Sequence, residues 1–278
     1  MYCKILKNNY SEVQVGSSVG TLGFVGTGTI AAAMIEGLAL SGSEPIIVSP
    51  RNADIAADLA ARFANVTIAA DNQAVVDASD MVVLSVRPQI ADEVLRPLNF
   101  RPDQHVLSLI ATISLEYLHE VTAPAATVTR AVPLPPVARG QGPTAVFPPN
   151  ARVKALYDRL GVAIELGDES EFDVFSAATA TMSSYFAFAR TVTAWMEANG
   201  VDAAKAHAFM AQMLEGLGSA SPAAPERSFA QLADEYQTRG GINEQVFRAI
   251  TRDGVLPDLD AALDGVLARL RAGRGITD

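Results

Sequence analysis

A short glycine-rich segment, Gly23 to Ala31, carries residue types that bind phosphate groups. It contains the spacing G-x-G-x-x-A, with Gly26, Gly28 and Ala31 at the fixed positions. At this spacing the first glycine permits a tight turn, the second removes a Cβ that would collide with a pyrophosphate, and the third small residue lets a helix approach the strand. Free N–H groups and the positive end of the helix dipole then face the phosphates. The segment predicts a dinucleotide site, with a simple strand-to-helix connection as the alternative.

The residues after the second predicted strand indicate which dinucleotide the site would take. Proteins that bind NAD usually carry an Asp or Glu there, which holds the ribose 2′-hydroxyl group. Here the segment from Val48 to Asn52 reads Val-Ser-Pro-Arg-Asn and contains no acidic residue. A carboxylate would repel a 2′-phosphate, whereas Ser49 and Arg51 can bind one through charge-assisted hydrogen bonds. The segment favours NADP, while an exposed arginine in an ordinary turn is the alternative.

The composition argues against several other kinds of chemistry. The 278 residues include 31 Asp and Glu against 21 Lys and Arg, a formal charge of −10, and such an acidic surface repels nucleic acids. The single cysteine, Cys3, excludes an internal disulfide and a cysteine-based zinc site. The three histidines, His105, His119 and His207, lie far apart and lack the spacing of a metal site. We therefore expect neither nucleic acid nor a metal ion as a partner.

The beginning of the chain carries no pattern typical of export or of a membrane anchor. Residues 1–20 are polar, and they lack the apolar core and the cleavage site of a signal peptide. The chain contains no uninterrupted apolar run long enough to span a membrane. We interpret residues 1–20 as an extension, and we expect a cytoplasmic protein without a membrane partner.

Short apolar or β-branched runs alternate with amphipathic stretches from residue 21 to residue 167. The predicted strands are Leu22 to Val25, Pro45 to Val48, Val66 to Ile68, Met81 to Val86, Val106 to Ile110, Ala126 to Arg130, Thr144 to Phe147 and Ala163 to Leu166. Between the early strands, Ile30 to Ser41 and Asp54 to Phe63 are predicted helices, the second with Asn52 and Asp54 as candidate N-caps. This alternation predicts a parallel sheet that is covered by helices on both faces.

The strand signal stops in residues 168–278. One long helix is predicted from Glu171 to Asn199 and another from Asp202 to Gly218, followed by a turn-rich connector from Gly218 to Pro225. Further helices are predicted to begin near Glu226, Gly241 and Leu256. The sequence thus predicts an α/β fold in which a Rossmann-type dinucleotide-binding domain (21–167) is followed by an all-helical domain (168–278).

Four further segments occur in an order that resembles the pyrroline-5-carboxylate reductase family. Val82 to Gln89 (VVLSVRPQ) is similar to the family's fourth-strand motif, and Ser108 to Ser114 (SLIATIS) to its fifth-strand segment. Arg130 to Gly142 resembles R-x-M-P-N-T-P-x-x-x-G-x-G, and Asp234 to Asn243 (DEYQTRGGIN) resembles the substrate loop D-x-V-x-S-P-G-G-x-T. The resemblance extends from Leu22 to about Ala262, which is nearly the whole chain.

The resemblance implies an enzyme that reduces the cyclic imine 1-pyrroline-5-carboxylate to L-proline with NAD(P)H, and the residues after the second strand favour NADPH. It also implies a homodimer with interlocking helical domains, and it leaves open a larger assembly of dimers. By position, the pyrophosphate would contact Gly26, Thr27, Gly28, Thr29 and Ile30. The 2′-phosphate would contact Ser49, Arg51 and Asn52, and the nicotinamide riboside would lie along Val86, Arg87, Pro88 and Ala111.

The same resemblance places the small imino-acid substrate against Thr238, Gly240, Gly241 and Asn243. The chemistry agrees, because bare N–H groups of Gly240 and Gly241 before a helix can bind a carboxylate, although an ordinary helix–helix turn is the alternative. Asn243 stands where the family has a threonine that hydrogen-bonds or protonates the imine nitrogen, and it is the candidate catalytic residue. Since an amide is a poor proton donor, the proton would come from water or from an iminium ion.

The chain departs from the family pattern at three further places. Leu134 and Pro135 replace an Asn-Thr pair, and Arg239 replaces the proline of the substrate loop. Thr179 to Tyr185 (TATMSSY) replaces S-G-S-G-P-A-Y. The loss of both glycines and the proline predicts a longer or straighter helix at this position.

Other functions remain open at this stage. One is an NADP-dependent reductase of a different imine or a small carbonyl compound. The related β-hydroxyacid dehydrogenases rely on a catalytic lysine in the helical domain, whereas Lys205 is better interpreted as a solvated surface charge. Another is a degenerate homologue that binds NADP as a sensor, which NADPH binding without turnover of cyclic imines would support.

Overall fold

The computed structural model of this protein describes residues 20–252 and 255–273. The predicted extension, including Cys3, therefore lies outside the described residues except for Gly20. The chain divides into two compact units, one that ends at Phe172 and one that begins at Asp173. The boundary expected from the sequence lies a few residues earlier, between residues 167 and 168.

The N-terminal unit is built on one sheet with the strand order β3-β2-β1-β4-β5-β6-β7-β8. Its strands are β1 (Leu22–Val25), β2 (Ile46–Val48), β3 (Val66–Ile68), β4 (Met81–Leu84), β5 (His105–Ser108), β6 (Thr127–Pro133), β7 (Pro143–Phe147) and β8 (Val162–Glu165). Neighbouring strands are parallel, as expected, except for the antiparallel pair β6 and β7. Only a short 3₁₀ turn, Pro135–Arg139, connects that pair, whereas a parallel pair needs a long crossover.

Helices surround this sheet and make up the C-terminal unit. Within the described residues the helices are α1 (Thr29–Ser41), α2 (Ala53–Arg62), α3 (Asn72–Asp77), α4 (Ala91–Leu95), α5 (Leu115–Val121), α6 (Ala151–Asp158), α7 (Glu171–Thr179), α8 (Met182–Ala198), α9 (Ala203–Ala223), α10 (Phe229–Glu235), α11 (Ile242–Arg252) and α12 (Val255–Gly273). None of the helices in the described ranges has the length and apolar character needed to cross a bilayer. The observed elements confirm the α/β fold with an N-terminal Rossmann-type domain.

Both faces of the sheet are buried, because the side chains of the central strands alternate between two separate apolar clusters. Phe24 and Val83 join the cluster that includes α1, whereas Val25 and Val82 join the cluster on the other face. A strand that is buried on both faces has a continuous apolar sequence instead of an alternating one. This burial explains why the strands are recognisable in the sequence as short apolar runs.

A buried arginine fastens the end of the N-terminal unit to the sheet. Arg130 on β6 is only 2% exposed, donates a hydrogen bond to Glu169, and lies 4.6 Å from the centre of the Phe172 ring. Glu169 also accepts a hydrogen bond of 2.7 Å from the N–H group of Leu115. A buried charge is tolerated when a hydrogen-bonded partner compensates for the lost solvation. The pair therefore fixes the path of the chain next to the unit boundary.

The single helix expected from Glu171 to Asn199 is wrong, because the chain breaks it into α7 and α8. The N–H groups of Ala180 and Thr181 bond to carbonyl groups three residues back, which tightens the chain. The Thr181 hydroxyl donates to the carbonyl three residues back as well. Thr193 makes the same hydroxyl bond inside α8 without breaking that helix, so the tightened backbone, and not the hydroxyl group, marks the end of α7. The helix ends here without glycine or proline, and the expected longer or straighter helix is also wrong.

The turn-rich connector expected from Gly218 to Pro225 is wrong as well, since α9 continues to Ala223 and contains Pro222. A proline in the last turn of a helix removes only one backbone hydrogen bond, and the surrounding alanines favour the helix. The chain then turns before Ser228, which forms a capping box with Gln231 at the start of α10. Local helix preference therefore outweighs the turn-forming residues.

We predict that Gly37→Ala destabilises the N-terminal unit. A Cβ atom at Gly37 would lie 2.2 Å from the carbonyl oxygen of Val137, so α1 would have to move away from the 3₁₀ turn. Such overpacking costs about 1–3 kcal/mol. Thermal denaturation should show a lower Tm. The control is Gly216→Ala in α9, where a Cβ meets nothing within 4 Å; an equal loss of Tm in both variants would contradict the prediction.

Candidate functional site

The carboxyl ends of four central strands meet at one edge of the sheet. The register pairs Val25 with Leu84, and Leu84 with Ser108, so β1, β4 and β5 end at the same level. Strand β2 ends there too, because Phe24 pairs with Val48. The strand order reverses its direction between β1 and β4, which is where open α/β sheets bind ligands. The topology therefore brings the predicted cofactor residues of separate segments to one edge.

The turn between β1 and α1 has the backbone that its two glycines predict. Gly26 has a φ of +97°, and a Cβ there would lie 2.5 Å from the carbonyl oxygen of Ser85. Gly28 instead has an extended backbone, and a Cβ there would meet no protein atom within 4 Å. The chain's own packing thus requires glycine at Gly26, whereas the space beside Gly28 is open. Open space before the start of a helix is what a bound pyrophosphate needs.

Four side-chain hydrogen bonds hold this turn against the segment that follows β2. Ser49 is fully buried, and its Oγ accepts a hydrogen bond of 3.0 Å from the N–H group of Gly26. The Thr27 hydroxyl donates to the Ser49 carbonyl oxygen at 2.9 Å, and the two hydroxyl oxygens lie 3.2 Å apart. Asn52 Nδ2 donates to the Thr27 carbonyl oxygen at 3.1 Å. We call Thr27, Ser49 and Asn52 the turn brace.

Of the residues that follow β2, Ser49 and Asn52 support the glycine turn, whereas Arg51 makes no described hydrogen bond to it. The Ser49 hydroxyl faces the glycine turn, whereas Arg51 is exposed. Asn52 is the N-cap residue of α2, but its φ is +65° and its side chain makes no capping hydrogen bond, since its amide group bonds to Thr27 instead. The first acidic residue after β2 is Asp54, in the first turn of α2. The expected side-chain capping by Asn52 is therefore wrong. The segment from Ser49 to Asn52 thus carries the positive charge of Arg51 and no carboxylate.

The other predicted cofactor residues follow β4 and β5. Val86 is half-buried, and Arg87 is exposed at the start of a 3₁₀ turn that contains Pro88. Ala111 is exposed just beyond β5. Its neighbour Thr112 has a φ of +65°, which is unusual for a β-branched residue. Such conformations occur often at functional sites, and the sequence carried no signal for this one.

The residues predicted to hold the substrate all lie in the C-terminal unit, between α10 and α11. Gly240 has a φ of +75°, and its N–H group donates to Glu244 Oε2 at 2.5 Å. The N–H group of Gly241 donates to the Thr238 carbonyl oxygen at 2.7 Å. Asn243 Nδ2 donates to the Tyr236 carbonyl oxygen at 2.8 Å. The segment thus forms a closed turn at the start of α11, with Asn243 exposed.

The buried histidine His105 lies away from the edge that carries the predicted cofactor residues. Burial lowers the pKa of His105 to about 4, with a smaller effect from Arg152, and the ring bonds to Thr129 at 2.9 Å. His105 is the first residue of β5, and it therefore lies at the opposite edge of the sheet. In the part of the chain that the structure describes, no group of His, Cys, Asp and Glu side chains could hold a metal ion.

Two protein-family models match the chain in succession. The model described as NADP oxidoreductase coenzyme F420-dependent matches residues 21–112, and the model for pyrroline-5-carboxylate reductase dimerisation matches residues 169–272. The first match contains the braced glycine turn, and the second contains most of the helical unit. The C-terminal unit therefore corresponds to the dimerisation domain of that family.

Individual proteins give the same result. The chain is 32% identical over 181 residues to the pyrroline-5-carboxylate reductase of Pseudomonas aeruginosa. This alignment covers 61% of this chain and 66% of that protein. It is similar to the structure of 1-pyrroline-5-carboxylate reductase from Streptococcus pyogenes, with a TM-score of 0.77 and 26% identity, over 91% of this chain and 98% of that chain. Plasmodium falciparum pyrroline carboxylate reductase with NADP bound has the same fold, with a TM-score of 0.75 and 18% identity, over 92% and 99% of the two chains.

These matches confirm the resemblance inferred from the order of the motifs. The Rossmann-type sheet and the helical unit are consistent with them. The chain belongs to the pyrroline-5-carboxylate reductase family of oxidoreductases.

Proposed function

We propose that the protein reduces the C=N bond of a cyclic imine with NADPH, and that 1-pyrroline-5-carboxylate, which becomes L-proline, is the substrate. The observation that carries the proposal is the braced glycine turn, with open space at Gly28 and the exposed cation of Arg51 on the neighbouring strand end. The names of the Pseudomonas aeruginosa and Streptococcus pyogenes relatives support the choice of substrate.

The choice of NADP rests on the charges around the turn. The N–H groups from Gly26 to Ile30 would hold the pyrophosphate, and Arg51 would bind the 2′-phosphate. No acidic residue lies between Ser49 and Asn52 to repel that phosphate. The Plasmodium falciparum relative with NADP bound is consistent with this choice. When it is bound, NADPH supplies the hydride.

The segment before α11 would position the imine, and its residues need neither a nucleophile nor a metal ion. Gly240, Gly241 and Thr238 form the turn, and Asn243 would hydrogen-bond the imine nitrogen through the part of its amide group that does not contact Tyr236. Because an amide is a poor proton donor, the nitrogen would take its proton from water or bind already protonated. Asn243 therefore orients the imine in this proposal.

We also propose that the protein is a homodimer through its helical unit. Large apolar side chains of this unit are exposed in the single chain, including Phe186, Trp195, Phe209 and Ile242. Extended exposed apolar surface in a globular protein marks an interaction site. The match of residues 169–272 to the dimerisation domain supports a second copy as the partner.

Steady-state kinetics tests the proposed reaction directly. The loss of NADPH absorbance is followed with 1-pyrroline-5-carboxylate, and L-proline is identified as the product. Turnover that forms L-proline, with a lower KM for NADPH than for NADH, is the expected result. NADPH binding without turnover of any cyclic imine would overturn the enzymatic proposal and would favour a degenerate NADP-binding homologue. Turnover of another imine alone would change only the substrate.

We predict that Ser49→Ala weakens the binding of NADPH and NADH by a similar factor. The change leaves the buried N–H group of Gly26 without its acceptor, at a cost of about 1–3 kcal/mol, and it loosens the turn that both dinucleotides share. Fluorescence titration with each dinucleotide measures the two Kd values. A loss confined to NADPH would contradict the brace and would indicate that Ser49 contacts the 2′-phosphate.

Arg51→Ala is expected to weaken NADPH binding by about ten- to a hundredfold, which is the effect of losing one hydrogen bond to a charged group, and to leave NADH binding unchanged. The control is Arg62→Ala, which removes an arginine from the other end of α2, where it pairs with Glu36 and Asp58. Measured Kd values in which Arg51→Ala keeps the wild-type ratio of NADPH to NADH affinity would refute the assignment.

Asn243→Ala should lower kcat at least several-fold and leave the Kd for NADPH unchanged, because Asn243 would orient the imine and not the dinucleotide. Gln237→Ala is the matched control, since Gln237 also donates from a side-chain amide to a backbone carbonyl in this segment, that of Ala233. Equal effects of the two variants on kcat would show that the Asn243 amide only supports the fold of the loop.

A further inference from the structure

The loop between β5 and α5, residues 109–114, has an unusual backbone conformation beside the predicted nicotinamide position. Within the described residues, only Asn52 and Thr112 have a positive φ without being glycine. The side-chain amide of Asn52 bonds to the Thr27 carbonyl oxygen, whereas Thr112 is exposed and its side chain takes part in no described hydrogen bond. A β-branched residue keeps this conformation only where the surrounding structure imposes it. The cause therefore lies in how the loop is held at its ends.

Hydrogen bonds fix both ends of this loop. At its start, the Leu109 N–H group donates to the Leu84 carbonyl oxygen of β4 at 2.8 Å. Just after its end, the N–H group of Leu115 donates to Glu169 Oε1 at 2.7 Å. Thr112 lies between these two anchors, so its conformation follows from the path that they impose on the loop.

Arg130 holds the second anchor in place. It stands opposite Ser108, the last residue of β5, in the register of β5 and β6, and is therefore level with the start of the loop. Its guanidinium group donates to the same Glu169 oxygen that accepts the Leu115 hydrogen bond. Arg130 is buried and the Glu169 side chain is 28% exposed, and such pairs are screened less by solvent than exposed ones. Glu169 is therefore a firm acceptor for the end of the loop.

We propose that Glu169 is a positioning residue for the nicotinamide end of NADPH. The Arg130 guanidinium holds the Glu169 carboxylate, which fixes the loop through the Leu115 N–H group. The loop thereby keeps Ala111 and Thr112 in the conformation that receives the nicotinamide. This inference rests on the proposed function, in which the nicotinamide riboside lies along Ala111. The turn brace supports the opposite end of the dinucleotide, so the two networks act on different parts of the same cofactor.

Glu169 would affect the reaction only through geometry, because it acts through the loop. A displacement of about 1 Å can slow a well-oriented reaction by about a hundredfold. A purely structural role predicts a lower Tm and an unchanged kcat for the folded enzyme. A positioning role predicts a lower kcat, together with weaker binding of NADPH and unchanged binding of 2′-phospho-ADP-ribose, which lacks the nicotinamide. The two affinities therefore distinguish the roles without any turnover.

Leu115→Pro removes the anchoring N–H group and keeps the pair of Arg130 and Glu169. Leu115 is the first residue of α5, where proline is tolerated, and Ser114 before it already has the extended backbone that proline favours, with a ψ of 156°. We expect kcat with 1-pyrroline-5-carboxylate to fall by about tenfold or more, and only the Kd for NADPH to rise. The control is Ala203→Pro at the first residue of α9, which should leave kcat and both Kd values unchanged.

Thr112→Gly tests whether Glu169 acts through the strained residue. Glycine takes a positive φ without steric cost, so the loop should keep its conformation even without its anchor. Glu169→Ala should therefore lower kcat by about tenfold or more in the wild-type background, and by a clearly smaller factor in the Thr112→Gly background. The matched control is Glu44→Ala, since Glu44 also pairs with a half-buried arginine of the same unit, Arg159. It should lower Tm and leave kcat unchanged.

Equal losses of kcat from Glu169→Ala in the two backgrounds would overturn the inference. An unchanged kcat in Leu115→Pro, or equal losses of affinity for NADPH and 2′-phospho-ADP-ribose, would do the same. Because Leu115→Pro keeps the buried ion pair, it decides the question even if Glu169→Ala does not fold. If the wild-type protein binds NADPH and reduces no imine, the proposed reaction fails, and the two Kd values still decide the role of Glu169.

Discussion

The hydrogen bond from the Gly26 N–H group to the Ser49 hydroxyl links the two loops that form the proposed nucleotide site. Parallel strands bring their carboxyl ends together, but they do not fix the loops that follow. Here Ser49 and Asn52, at the end of β2, hold both sides of the turn that follows β1. Hydrogen bonds therefore join the turn that would bind the pyrophosphate to the segment that would contact the 2′-phosphate. Arg51 lies between the two bracing residues, and its backbone position follows from theirs.

The fold of the N-terminal unit could be read from the sequence largely because its central strands are buried on both faces. Every predicted strand between Leu22 and Leu166 exists, with ends that differ by at most a few residues. The helical unit was harder to predict, because breaks in helices depend on weak local competition. The chain leaves the helix at Ala180 and Thr181, whereas Pro222 does not end one. Composition alone favours the opposite outcome at both positions.

The candidate site could also be predicted only in part from the sequence. The glycine motif is local in sequence, so the turn at Gly26 and Gly28 could be predicted with its backbone. The inward orientation of Ser49 could not, since it depends on pairing between β1 and β2. The bond from Gly240 to Glu244 spans only four residues, and a glutamate at the third helical position is a recognisable capping pattern.

A crystal structure of the complex with NADP⁺ tests the central claim most directly, namely that the braced turn binds the dinucleotide. The account predicts the pyrophosphate against the N–H groups from Gly26 to Ile30, the 2′-phosphate against Arg51, and the Ser49 hydroxyl still bonded to Gly26. A dinucleotide bound away from this turn, or a Ser49 side chain rotated out to the 2′-phosphate with the turn unchanged, would contradict it.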